Sequence, residues 1–268
     1  MEVNNKMRMV NIDPVHRTMI KSFKMNDNPL NRKTILITGA AKRLGRLFAL
    51  ACARAGADII IHHGHSQEEA LQVQDEIESA GQHAWILALD FGKPAEVTRF
   101  ISQANEFSPL YALVNSAAVF ESLSFNETTY EEWERHIAIN LTAPFLLSQA
   151  FAKQVPENGH GRIVNIVDWR ALRPAADHFP YTISKAALAA LTQSLAVALA
   201  PRITVNGLAL GAILPPSDGA ANNDILKNIP AGRWSETKEV EDALIFLLTG
   251  PAYITGEIIH VDGGRHLI

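Results

Sequence analysis

Tyr181 and Lys185 stand four residues apart in YTISK. On a helix this puts them on one face, about one turn apart. An ammonium beside a phenol favours the phenolate and should lower its pKa, which suits proton transfer near neutral pH. A second group lies in TGAAKRLG, residues 38–45. Gly39 and Gly45 let backbone approach a phosphate, and a helix opening at Leu44 favours negative charge at its first turn. Lys42 and Arg43 place two cations beside that turn. The run HHGHS, residues 62–66, has no carboxylate to hold a free ribose 2′-hydroxyl, whereas His65 and Ser66 suit a 2′-phosphate. The expected cofactor is therefore NADPH rather than NADH.

These residues need strands and helices to hold them. Apolar, β-branched runs at 34–38, 58–62, 83–89, 111–114, 161–167, 203–208 and 257–261 read as seven strands. Between them, helices are expected at 44–55, 66–80, 94–107, 129–153, 181–200 and 238–249. Ser66 is the expected N-cap of the second helix, with Glu69 completing a capping box and Gly81 at its end. The stretch 129–153 reads as one long helix containing Pro144. Near-continuous apolar strands alternating with helices imply a doubly wound parallel α/β sheet covered on both faces. Ligands bind such sheets at the carboxyl ends of the strands.

One domain is expected over 32–268. Residues 1–31 lack periodicity and read as a poorly ordered extension. The segment 213–234, rich in Pro, Gly and Asn, reads as a substrate lid. The 268 residues carry 24 Lys and Arg against 28 Asp and Glu, a formal net charge of −4, which gives no reason to expect a nucleic-acid partner. No apolar run is expected to reach membrane-spanning length and no secretory leader is apparent, so a cytoplasmic protein is expected. The single cysteine, Cys52, lies in an apolar helical run and reads as a buried, inert thiol. No metal-ligand set is assigned.

Further landmarks extend along the chain. They are Asp90 after the third strand, NSAA at 115–118 with Asn115 and Ala117, Asn140 in AINLTAPF, VNG at 205–207, Gly211, and VDGG at 261–264. With TGAAKRLG and YTISK, this set resembles the short-chain dehydrogenase/reductase superfamily, over most of the chain after the extension. The resemblance implies a Rossmann-type fold. It also implies a homo-tetramer, with the long helices after the fourth and fifth strands in its interfaces. Arg43 stands where that family's middle glycine usually is. Asp168, thirteen positions before Tyr181, stands where its serine usually is. Asn140 is implied to hold a water linking Lys185 to solvent.

A carboxylate at 168 would repel the oxyanion that forms from a ketone, but suits a substrate with N–H donors or a nitrogen to be protonated. TGAAKRLGR, Asp168 and Phe120 resemble the pteridine reductase subfamily, which reduces C=N bonds of pterins with NADPH. That resemblance implies a planar heterocycle against Phe120, with Arg43, Asp168 and Tyr181 at the substrate. Ala118, Leu210 and Trp169 depart from it. Two other readings stay open: a reductase of ketones, quinones or acyl thioesters, and a non-catalytic NADP(H)-binding regulator.

Overall fold

The computed structural model describes residues 28–215 and 223–268. Its strands are β1 (Thr34–Ile37), β2 (Asp58–His63), β3 (Ala84–Ala88), β4 (Leu110–Asn115), β5 (Gly161–Asp168), β6 (Ile203–Leu210) and β7 (Ile258–Val261). They form one sheet in the order β3-β2-β1-β4-β5-β6-β7, and every neighbouring pair is parallel. The helices are α1 (Arg43–Arg54), α2 (Gln67–Ser79), α3 (Pro94–Phe107), α4 (Tyr130–Ile137), α5 (Ala143–Gln154), α6 (Phe179–Leu199) and α7 (Thr237–Thr249). The strand order reverses between β1 and β4, the switch point at which such sheets open a crevice.

Successive strand residues point to opposite faces. Ile35, Ile37, Ile59, Ile61 and Val114 enter one apolar layer with Phe48 of α1, Val73 of α2 and Leu244 of α7. Leu36, Ile60, Leu113 and Ile163 enter the other with Phe100 of α3 and Phe151 of α5. Each buried Ile, Leu or Phe contributes about 1.5–3 kcal/mol. Both faces therefore select apolar residues, and the strands read as runs rather than alternations.

Several local expectations are revised. Leu30 is only 1% exposed and its N–H donates to Ala55 O across 2.9 Å, so packing begins inside the stretch read as an extension. Residues 1–27 and part of the expected lid, 216–222, lie outside the described residues. The stretch 129–153 is two helices joined by a π turn at Ala138–Thr142. Pro144 has no N–H to carry an α-helical bond through this point. Ser66 precedes α2 but its side chain makes no cap hydrogen bond, and Glu69 pairs with Lys42 at 2.7 Å instead of completing a capping box. Contrary to expectation, one helix among those described, α6, is long and apolar enough to cross a membrane by length and composition. Its polar Thr182, Ser184 and Lys185 interrupt the run but are outweighed in the average. All three are buried where α6 packs on β5 and β6. Cys52 is buried as expected, and burial pushes its thiol pKa up.

Candidate active site at the carboxyl ends of the strands

Asp168 is the last residue of β5, where the strand leaves the sheet. Its Oδ1 accepts the Arg170 backbone N–H at 2.9 Å, closing the short turn Trp169–Ala171. Its Oδ2 accepts the Tyr181 phenol at 3.0 Å. One turn further along α6, Lys185 Nζ donates to Ile166 O at 2.7 Å. The i, i+4 pair of the helix thus meets the i, i+2 pair of the strand. Four helix residues rise about 6 Å and two strand residues about 6.6 Å, so both contacts form without distorting either element.

The electrostatics differ from the sequence expectation. Burial, then the Asp168 charge and its hydrogen bond, push the Tyr181 phenol well above its ordinary value. Lys185 does not lower it: the ammonium is 5.7 Å from the ring centroid and directed at Ile166 O. Burial brings Lys185 itself down to about 8, against an opposing pull from Asp168. Tyr181 is therefore held as a neutral phenol, a proton donor rather than a poised base.

Phe120 is 55% exposed, yet its ring is fixed in place. It stacks on His178 at 4.1 Å and meets Tyr181 edge-on at 4.7 Å. His178 adopts a φ of 52° and its Nδ1 donates to Glu121 O at 2.9 Å. Asn140 is fully buried in the π turn. Its Oδ1 accepts from Val119 N, and its Nδ2 donates to Val119 O and Ser184 Oγ. It is a clamp on the backbone just before Phe120.

The glycine turn is closely fitted. A Cβ on Gly45 would lie 2.0 Å from Gly39 O, and one on Gly39 2.9 Å from Ala117 Cα. Thr38 Oγ1 accepts the N–H groups of Ser116 and Ala117, both at 2.9 Å. Gly39 N–H donates to His62 Nδ1 at 3.0 Å, and His62 Nε2 donates to Leu89 O at 2.9 Å. Burial brings His62 down to about 4, so the ring stays neutral and keeps this tautomer. Sequence reasoning treated His62 only as the end of a strand, and nothing in its type distinguishes it from the exposed His65.

Arg43 has a φ of 50°, a left-handed conformation that glycine adopts freely. Holding a bulky residue there costs about 1–3 kcal/mol. Its side chain donates to Pro215 O at 2.9 Å. The first turn of α1, which includes Leu44, has no acidic residue, and its N-cap Lys42 makes no side-chain cap. Those backbone N–H groups and the positive end of the helix fit an anion such as a dinucleotide diphosphate. Lys42 is drawn to Glu69, an exposed pair that is readily exchanged. His65 is 81% exposed along its side chain, 3.9 Å from Asp90 Oδ2. Ser66 is placed by its N–H bond to His63 Nδ1.

Three expected cofactor residues also have structural contacts. Asn115 Nδ2 donates to Asn165 Oδ1, and Asn165 Nδ2 to Thr192 Oγ1, a buried chain tying β4, β5 and α6. A Cβ on Gly211 would lie 2.7 Å from Asp262 Cα, so that glycine admits neighbouring backbone. Asp90 accepts Gly92 N–H and shapes the turn after β3.

A family model described as enoyl-(acyl carrier protein) reductase matches residues 39–266. The chain is 34% identical over 244 residues to the 2-dehydro-3-deoxy-D-gluconate 5-dehydrogenase of Bacillus subtilis, covering 88% of this chain and 95% of that one. It is 32% identical over 240 residues to the 3-oxoacyl-[acyl-carrier-protein] reductase of Synechocystis, covering 88% and 97%. Among solved structures, FolM alternative dihydrofolate reductase 1 from Brucella canis, complexed with NADP, is similar at a TM-score of 0.82 and 32% identity. It covers 91% of this chain and 97% of that one. The chain belongs to the short-chain dehydrogenase/reductase superfamily, whose members are NAD(P)-dependent oxidoreductases.

Proposed function

We propose that the protein is an NADPH-dependent reductase of a C=N bond in a pterin or a similar planar heterocycle. The observation that carries this reading is the Tyr181–Asp168 hydrogen bond, a carboxylate beside the proton donor. A carboxylate there opposes an oxyanion and favours a substrate that presents N–H groups. The structural likeness to FolM alternative dihydrofolate reductase 1 supports it.

Bound NADPH supplies the hydride. Gly39, Gly45 and the first turn of α1 would receive its diphosphate, and Arg43, Lys42, His65 and Ser66 its 2′-phosphate. Lys185, released from Ile166 O, would hold the ribose. The open face of Phe120 would take the heterocycle. Tyr181, kept neutral by burial and Asp168, would donate its proton to the ring nitrogen. Asp168 would then orient the substrate N–H groups. A homo-tetramer acting in the cytoplasm is part of the same proposal.

A second reading, reduction of a 3-oxoacyl thioester or another ketone, is favoured by the identity to the Synechocystis reductase. The test is to follow loss of reduced-nicotinamide absorbance with dihydrobiopterin, dihydrofolate, ketones, quinones and an acetoacetyl thioester, with NADPH and then NADH. Pterin turnover with NADPH preference is expected. Ketone or thioester turnover without pterin turnover transfers the assignment to the second reading. Tight NADPH binding without turnover on any substrate would indicate a regulator.

A further inference from the structure

Outside the Tyr181–Asp168 pair, three side chains converge behind the Phe120 wall. Glu132 and His136 are one turn apart on α4, and Glu121 follows Phe120. One ligating atom from each lies within 4.8 Å of the other two. His136 is fully buried, and its Nδ1 donates to Glu132 O at 2.8 Å, so in the neutral imidazole Nε2 presents a lone pair. That Nε2, Glu121 Oε2 and Glu132 Oε2 are all shielded from solvent without a hydrogen-bond partner.

Three solvent-shielded acceptors gathered this closely are unfavourable unless something positive lies between them. Arg135 meets part of that need: its Nη1 holds Glu121 Oε1 at 2.6 Å, but stands 3.8 Å from Glu132 Oε2. Glu121 Oε2 is left without that partner. One imidazole with two carboxylates is a donor set that suits zinc through the nitrogen and manganese through the oxygens. Tetrahedral ligands at about 2.0–2.2 Å from a metal lie about 3.4 Å apart, so carboxylate rotations that draw the donors inward by about an ångström close the set.

We infer that Glu121, Glu132 and His136 bind one divalent transition cation of the zinc or manganese class. The cation has a bracing role, away from the reacting atoms. Coordination ties Glu121 to α4, and Glu121 O holds His178, on which Phe120 stacks. The site stands independently of which substrate is reduced.

The test uses the tag-free full chain, stripped by a chelator and titrated calorimetrically with zinc chloride and with manganese chloride, using calcium chloride as the hard-cation control. One equivalent of zinc or manganese should bind and raise Tm. Glu132→Gln and Glu121→Gln, nearly isosteric and partly exposed, should each weaken binding about tenfold or more and abolish the Tm gain. In cobalt-loaded protein, the visible spectrum should change in the same variants. No stoichiometric uptake by the wild type would overturn the inference and assign the cluster to a shared proton. Equal binding by the wild type and both Gln variants would also overturn it, placing the metal elsewhere.

Discussion

Tyr181 donates its phenolic proton to Asp168 Oδ2 across 3.0 Å, in the position where the superfamily usually has a serine. The contact keeps the phenol neutral and directs it at an acceptor that cannot return a hydrogen bond to an oxyanion. Asp168→Ser should therefore lower pterin kcat/KM and raise ketone kcat/KM. Equal damage to both would refute the charge argument. Tyr181→Phe should cost about 100-fold or more in kcat with the preferred substrate, the usual range for a lost general acid.

The Phe120 wall should affect binding more than chemistry. Phe120→Ala removes a stack of about 1 kcal/mol, so KM for a planar heterocycle should rise about fivefold with kcat nearly unchanged. Steady-state kinetics of this one variant separate the two parameters, and a fall in kcat alone would show that the ring positions Tyr181.

Arg43 bears on cofactor choice. Replacing it by glycine relieves the left-handed backbone while removing the guanidinium. Arg43→Gly should gain stability yet weaken NADPH about tenfold, with little change for NADH. Fluorescence titration with each nucleotide, alongside thermal melting, reads both effects. Equal loss for the two cofactors would show that Arg43 does not meet the 2′-phosphate.

Lys185 predicts a pH dependence of stability. Its folded pKa is about 8, below the ordinary value of 10.5. Between these values the unfolded chain holds a proton that the folded chain has lost, so stability should rise with pH across that window. The gain is of the order of a few kcal/mol. Above about pH 10 the raised Tyr181 pKa opposes it, because only the unfolded chain then ionises its phenol. Denaturant midpoints measured from pH 7.5 to 9.5 should climb in the wild type and lose that climb in Lys185→Met, where the raised Cys52 thiol leaves only a fall in stability above about pH 9.

The sheet and most helices were legible because burial on both faces leaves strands such as TILI and DIIIHH with no polar alternation. Tyr181, Lys185 and Asp168 were legible because helix and strand periods determine which side chains meet. What stayed hidden depended on partners distant in sequence. Lys42 reads as a free cation until Glu69 appears beside it. The phenol reads as activated by Lys185 until Ile166 O is seen to take the ammonium. The helix break at Ala138–Thr142 needed Pro144 to be weighed against good helix formers on either side. Glu132 and His136 show helical spacing, but Glu121 reaches them only through the loop after Phe120.

The two contacts joining α6 to the end of β5 act as a splint as well as a proton-transfer device. They add two polar fixed points to the apolar packing of α6 on β5 and β6. On the proposed reading, Lys185 would turn from Ile166 O towards a ribose and undo half of the splint, so cofactor arrival would exchange an internal brace for an external one. Seating of the helix and loading of the nucleotide would then become a single event. Amide exchange along α6 should slow on binding even at residues far from the nucleotide.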